Sequence, residues 1–434
     1  MEHTQDELLQ FVEQNDVKFI QLAFCDLSGT QKNAEILAEE LAGALAAGIP
    51  FDASSVAGFQ RVEDSDLFLR PDPATLTLLP WRPQRGQVAR LQCAILQEDG
   101  TPFWGDARAL LQRVEEQLHR MGYLCSVGTC CAFYLFCTDE RGNPTRQPLD
   151  RGAYCDIAPV DRGEDLRREI CLTMEELGLR PESAHHECGP GQNEVDFRFA
   201  DPVRSADQFL AFKSTVKTIA ARNGLFASFL PRPMADWGGN GLHLNLSLSW
   251  QGQNIFQPDH PRHLQAQQFT AGILDHAREI TAFLNSIPNS YARLGRPMAP
   301  GYVGWSPKNR SQLIRVPASR GERFRIELRS PDPAVNPYLA YALVLSAGMD
   351  GIRRQLELPG PVQQNLYLEE QAAQAGLQPL PRSLGEALEL ARGSGFVRQV
   401  LGQRLLDQYL ELKGRETDRP ELAEGPEDPY LLFI

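Results

Sequence analysis

No apolar run in this chain is long enough to cross a membrane, so a membrane-spanning helix is excluded as a reading of the sequence. Basic residues are scarce relative to acidic ones: 43 Lys and Arg stand against 56 Asp and Glu, for a formal charge of −13. Such a balance disfavours nucleic acid and anionic membrane surfaces as partners, while leaving room for a small phosphorylated ligand in a local basic pocket. The first residues, MEHTQDELLQ, are acidic and do not follow the pattern of a secretory signal. Nine cysteines are present, an odd number without framework spacing. That argues against a disulfide scaffold and for a reduced, cytoplasmic setting in which most of them are buried packing groups. Internal repeats and low-complexity linkers are both lacking.

What is present describes a folded protein. At 434 residues, 42% hydrophobic and 23% charged, the chain can bury large cores and exceeds one ordinary domain. VKFIQLAFCDLSG alternates apolar and polar positions into a Gly turn, and VARLQCAILQEDGTPFW does the same around Asp-Gly. Asp106 then caps an amphipathic helix, ARALLQRVEEQLHRM, which Gly122 closes. The expected domains are therefore 1–104 and 105–434, the second mixing strands with helices and ending in a mainly helical region.

The chemistry-bearing residues lie on strand candidates. Side chains two apart on a strand share a face. In GLHLNLSLSW, Leu242, Leu244, Leu246 and Leu248 form an apolar face, against His243, Asn245, Ser247 and Ser249. In FRIELR, Phe324, Ile326 and Leu328 oppose Arg325, Glu327 and Arg329. In NEVDFRF, Val195, Phe197 and Phe199 are expected to pack, leaving Glu194, Asp196 and Arg198 together. Carboxylates with a histidine suit a divalent cation, and guanidinium groups suit phosphate or carboxylate oxygens. The plainer reading of such a face is solvated polar groups, so periodicity alone leaves both open.

The order of motifs narrows the choice. HHE…GQNE, a Gly-rich turn into LHLNLSL, NSYARL, PKNRSQLIRVP and RIELRSPDPAVNPYLA follow one another as in class I glutamine synthetases. FCDLSGTQKN, IPFDASSVAGFQRVEDSDLFLRPDPATLTLLPW and GDAR agree, so the resemblance covers nearly the whole chain. The length matches the subtype without the adenylylation insert. The resemblance implies an α+β chain: an N-terminal β-grasp domain, then a catalytic domain with a curved, mainly antiparallel sheet and C-terminal helices. It also implies a homo-dodecamer of two hexameric rings. The reaction implied is ATP-dependent ligation of ammonia to glutamate through a γ-glutamyl phosphate, with Mg²⁺ or Mn²⁺ as cofactor.

By resemblance, Glu187 and Glu194 fall at one metal position and His243 and Glu327 at the other. Arg293, Arg310, Arg315 and Arg329 match arginines that hold the substrate carboxylate and phosphates. Gly239, Ser247 and Arg325 fall in the substrate and nucleotide stretches. Asp52, reaching in from a neighbouring subunit, Ser55 and Tyr154 fall where the ammonium site is shaped, and Arg61 at a position tied to feedback control in some relatives.

The departures are concentrated in the same places. Where the family strand reads Glu-x-Glu, this chain has Cys130 and Ala132, so each metal position loses a carboxylate. Met298 stands opposite the flap base, Gly238 replaces a substrate-binding asparagine, and Asn245 a nucleotide-side histidine. Methionine cannot take a proton and alanine cannot bind a cation. Cys130, His243 and Glu327 would make a softer set suited to Zn²⁺, the alternative being that Cys130 is simply a small buried thiol. The expected function is accordingly ligation that is weakened or altered. An inactive oligomer that binds a metabolite as regulator or structural protein, or a ligase for a different acid and amine pair, stands as the alternative.

Overall fold

The computed structural model describes residues 5–81, 85–422, 430–431 and 434. Helix α1 (Gln5–Gln14) leads into β1 (Val17–Cys25) and β2 (Gln31–Leu37). After α2 (Leu41–Ala47) come β3 (Ile49–Asp52), β4 (Asp66–Pro71), β5 (Thr77–Leu78) and β6 (Gln87–Leu96). These strands form one sheet in the order β2-β1-β6-β4-β3, with β5 on β6. The β1–β6 pair is parallel, the topology of the β-grasp fold, and β3, which ends in Asp52, lies at its edge.

A second sheet is built on one long strand. Helix α3 (Ala107–Arg120) is capped by the Asp106 carboxylate, which accepts from Ala109 N, and Gly122 at φ 87° ends the turn into β7 (Tyr123–Thr138). Next come β8 (Pro144–Pro148), α4 (Glu164–Glu176), β9 (Pro181–His186), β10 (Gln192–Phe197) and α5 (Pro202–Arg222). They are followed by β11 (Leu225–Ser228), β12 (Leu242–Trp250), β13 (Gln253–Asn254), α6 (His263–Leu284) and α7 (Pro288–Arg293). Three short strands, β14 (Trp305–Pro307), β15 (Ile314–Val316) and β16 (Ile326–Leu328), precede α8 (Pro337–Arg354). The sheet runs β14-β15-β16-β12-β7-β10-β9, antiparallel except at β14–β15. Four helices close the described chain: α9 (Glu369–Ala375), α10 (Leu384–Gly393), α11 (Gly395–Leu401) and α12 (Gln403–Gly414).

The alternation in β12 sets the two faces of this sheet. Leu242, Leu244, Leu246 and Leu248 are all buried, each contributing about 1.5–3 kcal/mol by leaving water. They share one core with Phe133, Phe197, Phe212 and Phe229, whose rings mostly meet edge to face. Helices α6 and α8 cross closely over glycine: a Cβ at Gly272 would lie 2.1 Å from Ala347 O.

Three expectations need correction. Phe199 lies beyond the end of β10 and is 38% exposed, so only Val195 and Phe197 of that trio pack. Four of the nine cysteines are buried, while Cys155 and Cys188 are exposed, so packing does not account for most of them. Finally, β16 extends over only three of the residues in FRIELR, and Glu327 and Arg329 are 6% and 0% exposed, which decides against the solvated reading for these two.

Candidate active site

Strand pairing gathers the cleft. Cys130 stands opposite Asp196 on one neighbour and His243 on the other, while Ala132 stands opposite Glu194. Glu194 in turn faces His185 across β9, and Glu327 faces Asn245 and Arg315. Directly opposed residues point to the same side of a sheet, so the register alone brings these groups together.

Two close donor sets result. Single ligand atoms of His185, Glu187 and Glu194 lie within 4.8 Å of one another, as do those of Cys130, Glu194 and Asp196. The first set suits a divalent cation that favours oxygen with one imidazole. The expected trio of Cys130, His243 and Glu327 is not such a set among the described residues. His243 turns Nδ1 toward Glu327 at 3.7 Å, and two guanidinium groups hold the Glu327 carboxylate. Arg315 Nη1 donates to Glu327 Oε2 at 2.9 Å, and Arg329 Nη1 lies 3.2 Å from the same oxygen.

The charges follow from these neighbours. Burial works against an ionised Glu327, but His243, Arg329 and Arg315 outweigh it and hold its pKa at about 2. Burial and Arg329 push His243 down to about 3, so it is neutral, the form that can bind a metal. Glu194 is the contrasting carboxylate. Burial, then Asp196, Glu187 and Glu327, push it well above the usual range, and Arg329 opposes them only in part. Glu187 is held below the usual range despite burial, because His185 and the Cys188 amide favour its charge.

The arginines are positioned from the other side. Arg293, at the end of α7 and 2% exposed, donates to Ser330 O at 2.7 Å and Arg329 O at 3.2 Å. Burial brings its pKa down to about 10, with Arg329 adding to the effect and Asp332 opposing it. Gly239 lies against it: a Cβ there would come within 2.4 Å of Pro231 O and 2.8 Å of Arg293 Cγ. At Gly238 the nearest contact would be Gln192 Oε1 at 3.7 Å, so the space that an asparagine would use is open. Arg310 is exposed, and its carbonyl accepts from the Tyr367 hydroxyl at 2.7 Å. Met298 sits in the flap at φ 77°, a left-handed conformation that methionine rarely adopts, with its carbonyl turned to Arg329. Tyr154 packs its ring edge-on to His185 at 5.2 Å and so borders the first donor set.

Other expected residues fall farther out. Ser247 follows Asn245 along the same face of β12. Arg325 Nε donates to Asn245 Oδ1 at 2.9 Å. Asp52 is exposed, and its carboxylate is occupied by Ser54 and Ser55, which lower its pKa. Arg61 begins a surface turn. The sequence reading missed His185 as a donor, although it lies two residues before Glu187 in HHE. It also missed Tyr367, for which no sequence signal stands out.

A β-grasp domain is joined to a large, mainly antiparallel sheet, one face of which gathers arginines and clustered carboxylates. The chain matches the family model for the glutamine synthetase β-grasp domain over residues 16–98 and that for the glutamine synthetase catalytic domain over residues 104–428. It is 43% identical to a glutamine synthetase of Staphylococcus aureus over 437 residues, covering 99% of this chain and 98% of that protein. It is 44% identical to one of Methanosarcina mazei over 429 residues, covering 98% and 96%. Among solved structures, a GmaS/ADP complex superposes with a TM-score of 0.86 at 30% identity, covering 96% of both chains. Plasmodium falciparum glutamine synthetase shares the fold at TM-score 0.86 and 22% identity, again over 96% of each chain. The chain belongs to the glutamine synthetase family.

Proposed function

We propose that this protein is a diverged amide-forming ligase of its family, with one oxygen-type cation position retained and glutamine synthesis weakened. The observation that carries the reading is the pairing of Ala132 with Glu194 and of Cys130 with His243, which leaves strand β7 without a carboxylate on the cleft side. His185, Glu187 and Glu194 fit a Mg²⁺ or Mn²⁺ ion, which would neutralise charge on the phosphates of ATP. The second position, with a thiol and a neutral imidazole, does not fit Mg²⁺, which demands oxygen donors.

In this reading Arg293, Arg310 and Arg329 hold the carboxylate of a glutamate-like acid and the phosphate being transferred. Arg315, Arg325, Gly239 and Ser247 border the nucleotide and substrate. Tyr154, with Asp52 and Ser55 of an adjoining copy, frames the ammonia or amine. The assembly is a cytoplasmic homo-dodecamer of two six-membered rings. With Met298 in the flap no general base is supplied there, a loss of about 10²–10⁴ in rate.

Calorimetry with Mg²⁺ and ATP on the purified protein, then a phosphate-release screen over glutamate with ammonia and alkylamines, tests the proposal. Nucleotide binding with slow turnover is expected. Absence of nucleotide binding would instead support an inactive oligomer that binds a metabolite as regulator or structural protein. Turnover only with another acid or amine would identify the substrate pair.

A further inference from the structure

The second donor set contains a residue for which the family comparison gives no role. We propose that Cys130, Asp196 and Glu194 bind one thiophilic divalent cation of the Zn²⁺ class, with Glu194 shared between it and the oxygen-type position of His185 and Glu187. The proposal deepens the functional reading, resting on the cleft's need for cations but not on turnover.

Geometry supplies the first argument. One atom each from Cys130, Glu194 and Asp196 lies within 4.8 Å of the others, and the β7–β10 register fixes Cys130 directly opposite Asp196. The Asp196 carboxylate is held at one oxygen only. Ser183 donates its hydroxyl to Oδ2, Oδ1 is buried, and the Cys130 thiol is itself within hydrogen-bonding reach of the carboxylate. One oxygen oriented by a neighbour and the other turned inward is the usual condition of a metal-binding carboxylate.

The second argument comes from outside the cluster. Asn245, 6% exposed, points its side-chain amide at Cys130 Sγ, with Nδ2 3.3 Å from the sulfur. Its direction is not arbitrary, because Arg325 Nε donates to Asn245 Oδ1 at 2.9 Å. Guanidinium has no acceptor, so the oxygen must face Arg325 and the NH₂ must face sulfur. A neutral thiol is a weak acceptor, whereas a thiolate on a metal is a good one, so the chain Arg325–Asn245–Cys130 holds at the sulfur a donor that a metal-bound thiolate would use. The two departures at Cys130 and Asn245 are thus in contact with each other.

The chemistry selects the ion. One sulfur with two carboxylates suits Zn²⁺ in four-coordinate geometry, with a fourth position left for water or substrate. On binding, the sulfur–hydrogen bond is exchanged for a sulfur–zinc bond and one proton leaves to solvent.

Cobalt(II), a spectroscopic stand-in for zinc, tests the assignment. Titration of the full-length protein should develop a near-ultraviolet thiolate-to-cobalt band saturating at one ion per chain, displaced by Zn²⁺ and not by excess Mg²⁺. Cys130→Ser should abolish the band, with Cys130→Ala used if the serine variant does not fold. Asp196→Asn and Asn245→Leu should each weaken binding by about 10–100-fold, and His243→Ala should leave the band in place. A band that survives loss of Cys130, or ignores Asp196→Asn, overturns the site, as does its absence from the wild type. Phosphate release is measured in parallel. A band without turnover fails the ligase reading alone, and turnover without a band fails the thiophilic site alone.

Discussion

Ala132 and Glu194 face one another across β7 and β10, a methyl group opposite a carboxylate whose charge three other acids disfavour. Placing a second carboxylate there makes a like-charge cross-strand pair, which is destabilising unless a cation bridges it. Ala132→Glu should therefore lower the melting temperature in chelator and regain it as Mg²⁺ is added, by about 2.7 kcal/mol when the ion is at a hundred times its Kd. The wild type should respond less. Thermal melts across a Mg²⁺ series check this, and an Mg²⁺-independent Ala132→Glu variant would mean that the cleft does not collect cations at Glu194. Adding Cys130→Glu should strengthen the response, while abolishing the cobalt band.

Two adjacent glycines should differ sharply in tolerance. A Cβ at Gly238 meets only Gln192 Oε1 at 3.7 Å, whereas one at Gly239 collides with Pro231 O at 2.4 Å. Gly238→Asn is expected to change stability by less than about 1 kcal/mol and to tighten glutamate binding, whereas Gly239→Ala should cost about 1–3 kcal/mol through overpacking and displace Arg293. Urea denaturation and glutamate calorimetry of both variants decide it. Equal tolerance would show that the loop is not pinned against Arg293.

The short-range part of this architecture was legible in the sequence. Alternation placed the four leucines of β12 inward and put His243, Asn245 and Ser247 on one side. What it could not supply was register between distant strands. Cys130 meets Asp196, Asn245 meets Arg325, and His185 meets Glu194 only because β7 with β10, β12 with β16, and β9 with β10 pair at particular offsets. Zinc was accordingly expected with His243 and Glu327, but the flanking arginines hold the Glu327 carboxylate. Glycine and proline signals, by contrast, marked turns well, as at Gly122.

Arg108 ties the N-terminal sheet to the helical layer. Its Nη2 lies 3.0 Å from Asp72 and 2.9 Å from Asp207, and Tyr338 donates its hydroxyl to Asp207 at 2.6 Å. Arg108→Met would leave the half-buried Asp207 without its counter-charge, which should cost about 2–4 kcal/mol. The double change Arg108→Met with Asp207→Leu should recover part of that loss, because the uncompensated charge is gone. Denaturant midpoints for the two singles and the double measure the coupling, and a loss below 1 kcal/mol for Arg108→Met would place the weight of the domain contact elsewhere.

His276, buried on α6, joins three helices. Its Nε2 lies 2.8 Å from Asp350 on α8, its Nδ1 3.6 Å from Glu279, and its ring stacks on Phe396 of α11 at 3.7 Å. Asp275 lies 4.0 Å away, and Arg354 binds both Asp275 and Asp350 at 2.8 Å. Burial works against the imidazolium, but Glu279 and Asp350 outweigh it and raise its pKa above the ordinary value. A raised folded-state pKa means that the stabilisation is complete below the unfolded histidine pKa and is lost as pH climbs through the folded one. Glu279 and Asp350 are both lowered, so their share persists well into the acid range and does not reverse the trend near neutrality. His276→Gln should therefore cost about 1–3 kcal/mol at about pH 6, where the charged hydrogen bonds are intact. The gap from wild type should narrow by about pH 9, once the imidazole is neutral in both states. Melting curves of the two proteins over that range test it, and a difference that stays flat or widens with pH would show that His276 stabilises the junction as a neutral ring stacked on Phe396.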